Sequence, residues 1–195
     1  MKEDLSPKAA ELLAHARQLL TAGGYNSFSY ADLAERANIS KASIHHHFPS
    51  KEMLVTTLVV LYRQEARGGL AYLVDGSDSP LSALQGYAAY WKQCIRSGDS
   101  PFCICAMLAT ELPSIPEGVA IEVRGHFQDL EAWLKTVLSR GKSAGQFHLP
   151  GSAVAAARAF MAVVHGAMLV ARATGDNKAF EAIVEPAIVR LTQPA

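Results

Sequence analysis

The fold is decided by residues 29–48, whose sequence is SYADLAERANISKASIHHHF. Ser29 is placed to cap a short helix by accepting the backbone N–H of Asp32. Asn38 then ends that helix, because Asn tolerates the left-handed backbone conformation, and Ser40 caps a second short helix. The segment therefore predicts two short helices around a tight turn, which is the layout of a helix-turn-helix that reads DNA.

The second of these helices has a polar side without an evident partner. Only Ile44 is large and aliphatic between residues 41 and 47, and Phe48 follows it. Between Arg36 and Lys51 the chain carries three basic residues and three histidines but no Asp or Glu, although its formal net charge is +0. Because the positive charge is local, we expect one face of this segment to meet phosphate.

The sequence LAERANISKASI at 33–44, followed by HHHFPSKE at 45–52, resembles the signature of TetR-family transcriptional regulators. The resemblance covers about the first quarter of the chain; Asn38 stands where glycine is commoner, and His45 and His46 stand where tyrosine is frequent. It implies a ligand-responsive repressor that binds double-stranded DNA at a palindromic operator as a homodimer and is released by a small molecule. The predicted DNA-binding residues are Ser29, Ser40, Lys41, Ala42, Ser43, His45, His46, His47 and Lys51.

Helical periodicity and Gly/Pro punctuation predict an all-α chain. An N-terminal three-helix helix-turn-helix head at about 6–52 is joined by a long helix to a helical ligand-binding and dimerisation body. As domains, we predict a DNA-binding domain at 6–66, which includes the connecting helix, and a ligand-sensing and dimerisation domain at 67–195. The predicted helices outside the helix-turn-helix are 7–21, 50–73, 80–97, 101–112, 117–141, 151–174 and 178–191.

The last two long helices are predicted to form the dimer interface, as the resemblance implies. Small side chains permit close helix approach at Ala155, Ala159, Ala162, Gly166 and Ala173. Packing of these residues inside one subunit is the alternative. A dimer also follows from the helix-turn-helix itself, because one short helix contacts few bases.

Composition excludes several other classes. The first residues lack the basic and apolar regions of a secretory signal, so we expect a cytoplasmic protein. The apolar stretch 153–173 is interrupted by Arg158, His165 and Arg172, which favours a buried helix over a membrane span.

Consecutive histidines on a helix point about 100° apart and cannot converge on one ion, so no metal site or cofactor is predicted. No hydrolase, P-loop, dinucleotide or zinc-protease motif is present, so an enzyme is not expected, although a helical small-molecule-binding protein or enzyme remains the alternative outside this class.

Apolar residues of the middle helices are candidates for an effector pocket. Glu111 or His165 would orient a polar end of the effector. Most of the aromatic and sulfur-containing residues must serve the core, and a minority would touch the effector. The candidate ligand-binding residues are Tyr87, Trp91, Phe102, Met107, Glu111, Phe127, Met161 and His165.

The three cysteines offer a second sensing chemistry. An odd number of cysteines disfavours a disulfide framework. Cys103 and Cys105, two residues apart on a regular helix, would project to nearly opposite sides and act as buried hydrophobes. The alternative is a thiol sensor of electrophiles or oxidants, in which Cys103 at a helix start reacts first and Cys94 resolves it.

Overall fold

The computed structural model describes residues 5–98 and 102–194, and over these residues it contains helices and no strand. The predicted all-α class is confirmed. Short 3₁₀ turns at Tyr25–Ser27 and Leu112–Ser114 supplement the α-helices. The α-helices are α1 Pro7–Gly23, α2 Tyr30–Ala37, α3 Lys41–His47, α4 Lys51–Asp75, α5 Pro80–Ser97, α6 Ile104–Ala109, α7 Glu117–Ser143, α8 Ala153–Thr174 and α9 Lys178–Thr192.

The chain forms two compact units. Unit 1 holds the described residues up to Glu65 together with Cys103–His126, and unit 2 holds Ala66–Phe102 and the described residues from Phe127 onward. The functional division near residue 66 stays a prediction. The sequence pattern did not anticipate that the segment 103–126 would group with the N-terminal helices.

Unit 1 is built around α1, which packs on α2 and on α6. Ser6 caps α1 by accepting the backbone N–H of Ala9 at 3.2 Å. The head has a small apolar core, to which four buried side chains contribute: Phe28, Leu33, Ile44 and Phe48. Of the two short helices, α2 packs on α1 and α3 packs on α2, and the opposite side of α3 is exposed.

The helix predicted at 101–112 is shorter in the structure. Pro101 lies outside the described residues, α6 spans only Ile104–Ala109, and a 3₁₀ turn follows at Leu112–Ser114. Pro113 has no backbone N–H to donate to the Ala109 carbonyl oxygen, so the α-helical hydrogen bonds do not continue through residue 112 and the chain forms a 3₁₀ turn there.

In unit 2, α8 packs on α9, and α9 packs on α5. The expectation of a buried α8 is wrong for one of its faces. Phe160, Val164 and Met168 are buried, but Leu169 and Val170 are 58% and 41% exposed. By length and hydropathy alone α8 could cross a membrane, but the core helix of a soluble protein passes the same test. An exposed apolar face on a helix marks an interaction surface.

Candidate nucleic-acid interface

The helix-turn-helix is fixed by short-range hydrogen bonds. Ser29 and Asp32 form a reciprocal capping box at the start of α2, in which the Asp32 carboxylate accepts the Ser29 backbone N–H at 2.6 Å. The hydrogen bond from the Ser29 side chain is the main cause that lowers the pKa of Asp32. Asn38 adopts φ 50° and ψ 49°, the left-handed conformation predicted for it. Ser40 then caps α3 by accepting the backbone N–H of Ser43 at 3.2 Å.

The face of α3 opposite its core contact is exposed. Ile44 is fully buried, and Phe48 directly after the helix is also buried. The remaining predicted contact residues of α3 lie around the outer side: Lys41, Ala42, His45 and His46 are exposed, and Ser43 and His47 are half-buried. The helix therefore presents hydrogen-bonding side chains on a short rigid support, which suits base edges and phosphates.

Tyr30 of α2 orients the end of α3. Its hydroxyl donates to the Phe48 carbonyl oxygen at 2.8 Å, and burial raises the pKa of Tyr30 to about 12, so the proton for this bond is retained. Its ring meets the His45 ring edge-on with centroids 4.9 Å apart. His45 Nδ1 lies 3.1 Å from the Pro49 carbonyl oxygen. Among the described residues, the histidines belong to no cluster that could hold a metal ion.

Lys51 was predicted to bind DNA, but its side chain is directed at the backbone of the head. Its ammonium group donates to the Tyr25 carbonyl oxygen at 2.5 Å and to that of Phe28, and it lies over both aromatic rings at 4.4 and 4.3 Å. Burial is the main cause that lowers the pKa of Lys51. Because two carbonyl groups and two rings already surround the charge, Lys51 is poorly placed to contact a phosphate.

Glu111 was predicted to orient a polar end of the effector, but its carboxylate binds backbone N–H groups of the head. Its carboxylate accepts the backbone N–H of Tyr25 at 2.6 Å, so it binds the 3₁₀ turn of the head within unit 1. Tyr25 and Glu111 are 86 positions apart in the chain, and no local pattern in the sequence predicts such a contact. Met107 lies in the same unit and is half-buried.

The other six ligand candidates lie in unit 2. Tyr87, Trp91 and Phe102 are buried, and Phe127, Met161 and His165 are half-buried. The rings of Phe127 and His165 lie 5.3 Å apart, and His165 Nδ1 is 2.9 Å from the Met161 carbonyl oxygen. These three residues form one local group.

The two tryptophans of unit 2 differ in hydrogen bonding. Trp133 Nε1 donates to the Leu70 carbonyl oxygen at 2.9 Å. The Nε1 atom of Trp91 is buried and has no hydrogen-bond partner among the described residues. A buried donor without a partner is uncommon and calls for an explanation.

The prediction that Cys103 and Cys105 project apart is wrong. Cys103 precedes α6 with an extended backbone, φ −67° and ψ 120°, so the helical 100° rotation does not separate it from Cys105. The two thiols are hydrogen-bonded. Burial is the main cause that raises the pKa of Cys105 well above its usual range, and the hydrogen bond with Cys103 is the next largest cause. Both cysteines are 0% exposed, whereas Cys94 on α5 is half-buried.

Cys103 also has polar neighbours on α4 and α7. The Tyr62 hydroxyl donates to its sulfur at 3.4 Å, and His126 Nε2 lies 3.7 Å from the sulfur. The position at a helix start is as predicted, but the thiol is enclosed and does not present the exposed site that a fast-reacting sensor requires.

Family models match both parts of the chain. The model described as bacterial regulatory proteins, tetR family, matches residues 12–58, and the model described as tetracyclin repressor-like, C-terminal domain, matches residues 80–186. The second match alone spans more than half of the chain.

Individual relatives agree with these matches. The chain is 33% identical over 141 residues to the HTH-type transcriptional regulator CymR of Pseudomonas putida, a match that spans 68% of this chain and 66% of that protein. It is 29% identical to the HTH-type transcriptional repressor KstR2 of Mycobacterium tuberculosis, over 73% of this chain and 70% of the relative. The crystal structure of a TetR-family transcriptional regulator from Agrobacterium tumefaciens is 52% identical, with a TM-score of 0.94 over 95% of this chain and 98% of that one. The chain therefore belongs to the TetR family of bacterial transcriptional regulators.

Proposed function

We propose that this regulator is a homodimeric repressor that binds a twofold-symmetric operator through α3 and leaves it when a small molecule binds. The observation that carries this proposal is the exposed outer face of α3, held in place by the buried Ile44 and by the Ser29, Asn38 and Ser40 caps. Regulators of this family bind DNA, usually as dimers, and bind small-molecule effectors.

The proposed base and phosphate contacts come from the outer face of α3. Lys41, His45 and His46 are exposed there, and each can donate to a base edge or a phosphate. Ser29 and Ser40 cap their helices and are exposed at helix starts, where backbone N–H groups can also meet a phosphate. One head covers a single half-site, so two heads are needed for a specific operator.

The proposed dimer interface is the exposed apolar face of α8 with the adjoining face of α9. Ala155, Ala159, Ala162, Gly166 and Ala173 are all exposed and follow one another at three- to seven-residue spacing on α8. The same face carries the exposed Leu169 and Val170, and α9 exposes Val189. Burial of this continuous apolar surface against a second copy would remove it from water.

The proposed effector is an apolar molecule with at least one hydrogen-bond acceptor. The candidate site is the aromatic group of unit 2 that includes Tyr87 and Trp91, which lie one helical turn apart on α5. The unpartnered N–H of Trp91 supports this, because an acceptor on the effector would satisfy it. Once an effector is found, Trp91→Phe should weaken its binding about tenfold, whereas Trp133→Phe should change it little because Leu70 already satisfies that indole. Equal losses in the two variants would remove Trp91 from the proposal.

The deciding experiment is a gel shift with the DNA that flanks this regulator's own gene. The protein should retard that DNA and not an unrelated duplex of equal length, and a member of a metabolite panel should release it. A thiol oxidant added in a parallel lane tests the alternative of thiol sensing, and turnover of any bound effector would indicate an enzyme. Failure to retard the flanking DNA at any concentration that leaves the control duplex unbound would contradict operator binding near this gene.

A further inference from the structure

The 3₁₀ turn Tyr25–Ser27 connects α1 to the helix-turn-helix and is held by a residue from a distant part of the chain. Both carboxylate oxygens of Glu111 are used: one accepts the Tyr25 backbone N–H at 2.6 Å, and the other accepts the Asn26 backbone N–H at 3.1 Å. The Asn26 side-chain amide donates to the same carboxylate at 3.1 Å and to the Ser114 hydroxyl at 3.2 Å. Three donors of one turn therefore converge on a single charged acceptor.

The backbone before the turn is shaped for this approach. Gly24 has φ 86°, a left-handed conformation, and a Cβ atom added there would lie 2.2 Å from a Glu111 carboxylate oxygen. Glycine is thus needed at position 24 both for its backbone conformation and for the close contact.

The opposite edge of the turn is held by a cation. The Lys51 ammonium donates to the carbonyl oxygens of Tyr25 and Phe28, while Glu111 takes the backbone N–H groups of Tyr25 and Asn26. The turn therefore lies between an anion on its donor side and a cation on its acceptor side. Since Ser29, the cap of α2, lies two residues after the turn, the turn sets where the helix-turn-helix begins relative to α1.

Glu111 itself is fixed at the end of α6. Its backbone N–H donates to the Leu108 carbonyl oxygen at 3.0 Å, and its own carbonyl oxygen accepts the Ser114 backbone N–H at 2.8 Å. Leu108 is fully buried, and α6 packs on α1 within unit 1. A displacement of α6 would consequently displace the carboxylate that holds the turn.

We propose that Glu111 is a positioning residue for operator recognition, which holds the Tyr25–Ser27 turn so that α2 and α3 keep the orientation required for specific DNA binding. This inference rests on the proposed function. Glu111 does not touch DNA in this proposal; it acts through the turn. It also gives α6 a direct means of regulating the head.

The sign of the expected effect separates this role from simple electrostatics. Removal of a negative charge from a DNA-binding protein on its own strengthens attraction to phosphate. Loss of the Glu111 carboxylate should instead weaken specific binding, because the turn loses its acceptors, while non-specific binding stays equal or becomes tighter. General unfolding of the head would lower both.

The test is a fluorescence-anisotropy titration of the full-length protein against its operator and against an unrelated duplex of equal length. Glu111→Ala should weaken operator binding about tenfold and reduce the ratio of specific to non-specific affinity by at least as much, and Glu111→Gln, which keeps one acceptor oxygen, should lose less. The matched control is Glu117→Ala, because Glu117 lies in the same segment and is exposed, and among residues 5–98 and 102–194 it pairs only with Arg124 of the same helix. It removes an equal charge and should leave operator binding unchanged or slightly tighter.

Amide NMR spectra and thermal melting of the same variants show whether the head is still folded. The Tyr25 and Asn26 amide resonances should move in Glu111→Ala while those of the α1 interior stay in place. Should that variant fail to fold, Glu111→Gln and Asn26→Ala decide: each should lower the specific-to-non-specific ratio, and combining them should add less than the sum of the two. Operator binding by Glu111→Ala, or by this second pair, equal to that of Glu117→Ala would overturn the inference while leaving the proposed function intact. Absence of specific binding by the wild-type protein would overturn the proposed function and the inference with it.

Discussion

Replacement of Gly166 by leucine should separate the subunits without damaging either one. Gly166 lies in the middle of α8 on its exposed apolar face, and a Cβ atom added there would meet nothing within 4 Å in its own subunit. Within one subunit the change is therefore tolerated. It should even favour the helix by about 0.5 to 1 kcal/mol, because glycine is a poor helix former.

In the proposed dimer the same side chain would hold two helices apart. Overpacking of a closely packed contact costs about 1 to 3 kcal/mol per site. A twofold dimer contains the substitution twice, so the expected loss is about 2 to 6 kcal/mol, or roughly a 30-fold to more than 10,000-fold weaker dimer. Operator binding should fall with it, because the two half-sites would no longer be engaged together.

The assay is sedimentation velocity over a range of protein concentrations, with thermal melting alongside. Gly69→Leu is the matched control, since Gly69 is also an exposed glycine inside a helix, and a Cβ atom there would likewise meet nothing within 4 Å. The control should remain as dimeric as the wild type. A Gly166→Leu protein that is equally dimeric at every concentration would refute the reasoning and move the interface elsewhere.

Two further predictions concern the capping box and the thiols. Asp32→Asn should lower the urea midpoint of unfolding at pH 7; since the folded-state pKa of Asp32 is below its usual 3.8, the carboxylate's contribution is complete above that value, so the difference from wild type should shrink as the pH falls below it. A difference as large at pH 3 as at pH 7 would show that the charge of Asp32 is irrelevant to the cap. In the folded protein, a brief exposure to a thiol reagent followed by mass spectrometry should modify Cys94 before Cys103 and Cys105, because the latter two are enclosed. Cys103 reacting as fast as Cys94, with loss of DNA binding that Cys103→Ser prevents, would restore the thiol-sensing alternative.

Short-range signals in the sequence were sufficient for the helix-turn-helix. The capping box, the left-handed Asn38 and the Ser40 cap each depend on residues within four positions, so they can be deduced without tertiary structure. The same holds for the burial of Ile44, because it is the only large aliphatic residue between residues 41 and 47.

Contacts between distant segments could not be deduced in this way. The sequence offers Glu111 and Lys51 as charged residues without partners, and only the folded unit shows that both are directed at the Tyr25–Ser27 turn. The start of α6 could not be deduced from the sequence either. Because α6 begins at Ile104, Cys103 lies outside the helix, and the thiols of Cys103 and Cys105 meet although helical geometry predicted that they would project apart.

The central claim, that α3 reads a symmetric operator, is tested most directly by selecting binding sites from a pool of random DNA duplexes with the wild-type protein and with a Lys41→Ala, His46→Ala double variant. The wild type should enrich an inverted repeat whose half-sites are centred about one helical turn, or a multiple of it, apart. The double variant should fail to enrich that sequence or should bind it at least tenfold more weakly. Enrichment of the same inverted repeat with equal affinity by the double variant would contradict the claim that this face of α3 reads the DNA, and absence of any symmetric sequence from the wild-type selection would contradict dimeric operator recognition.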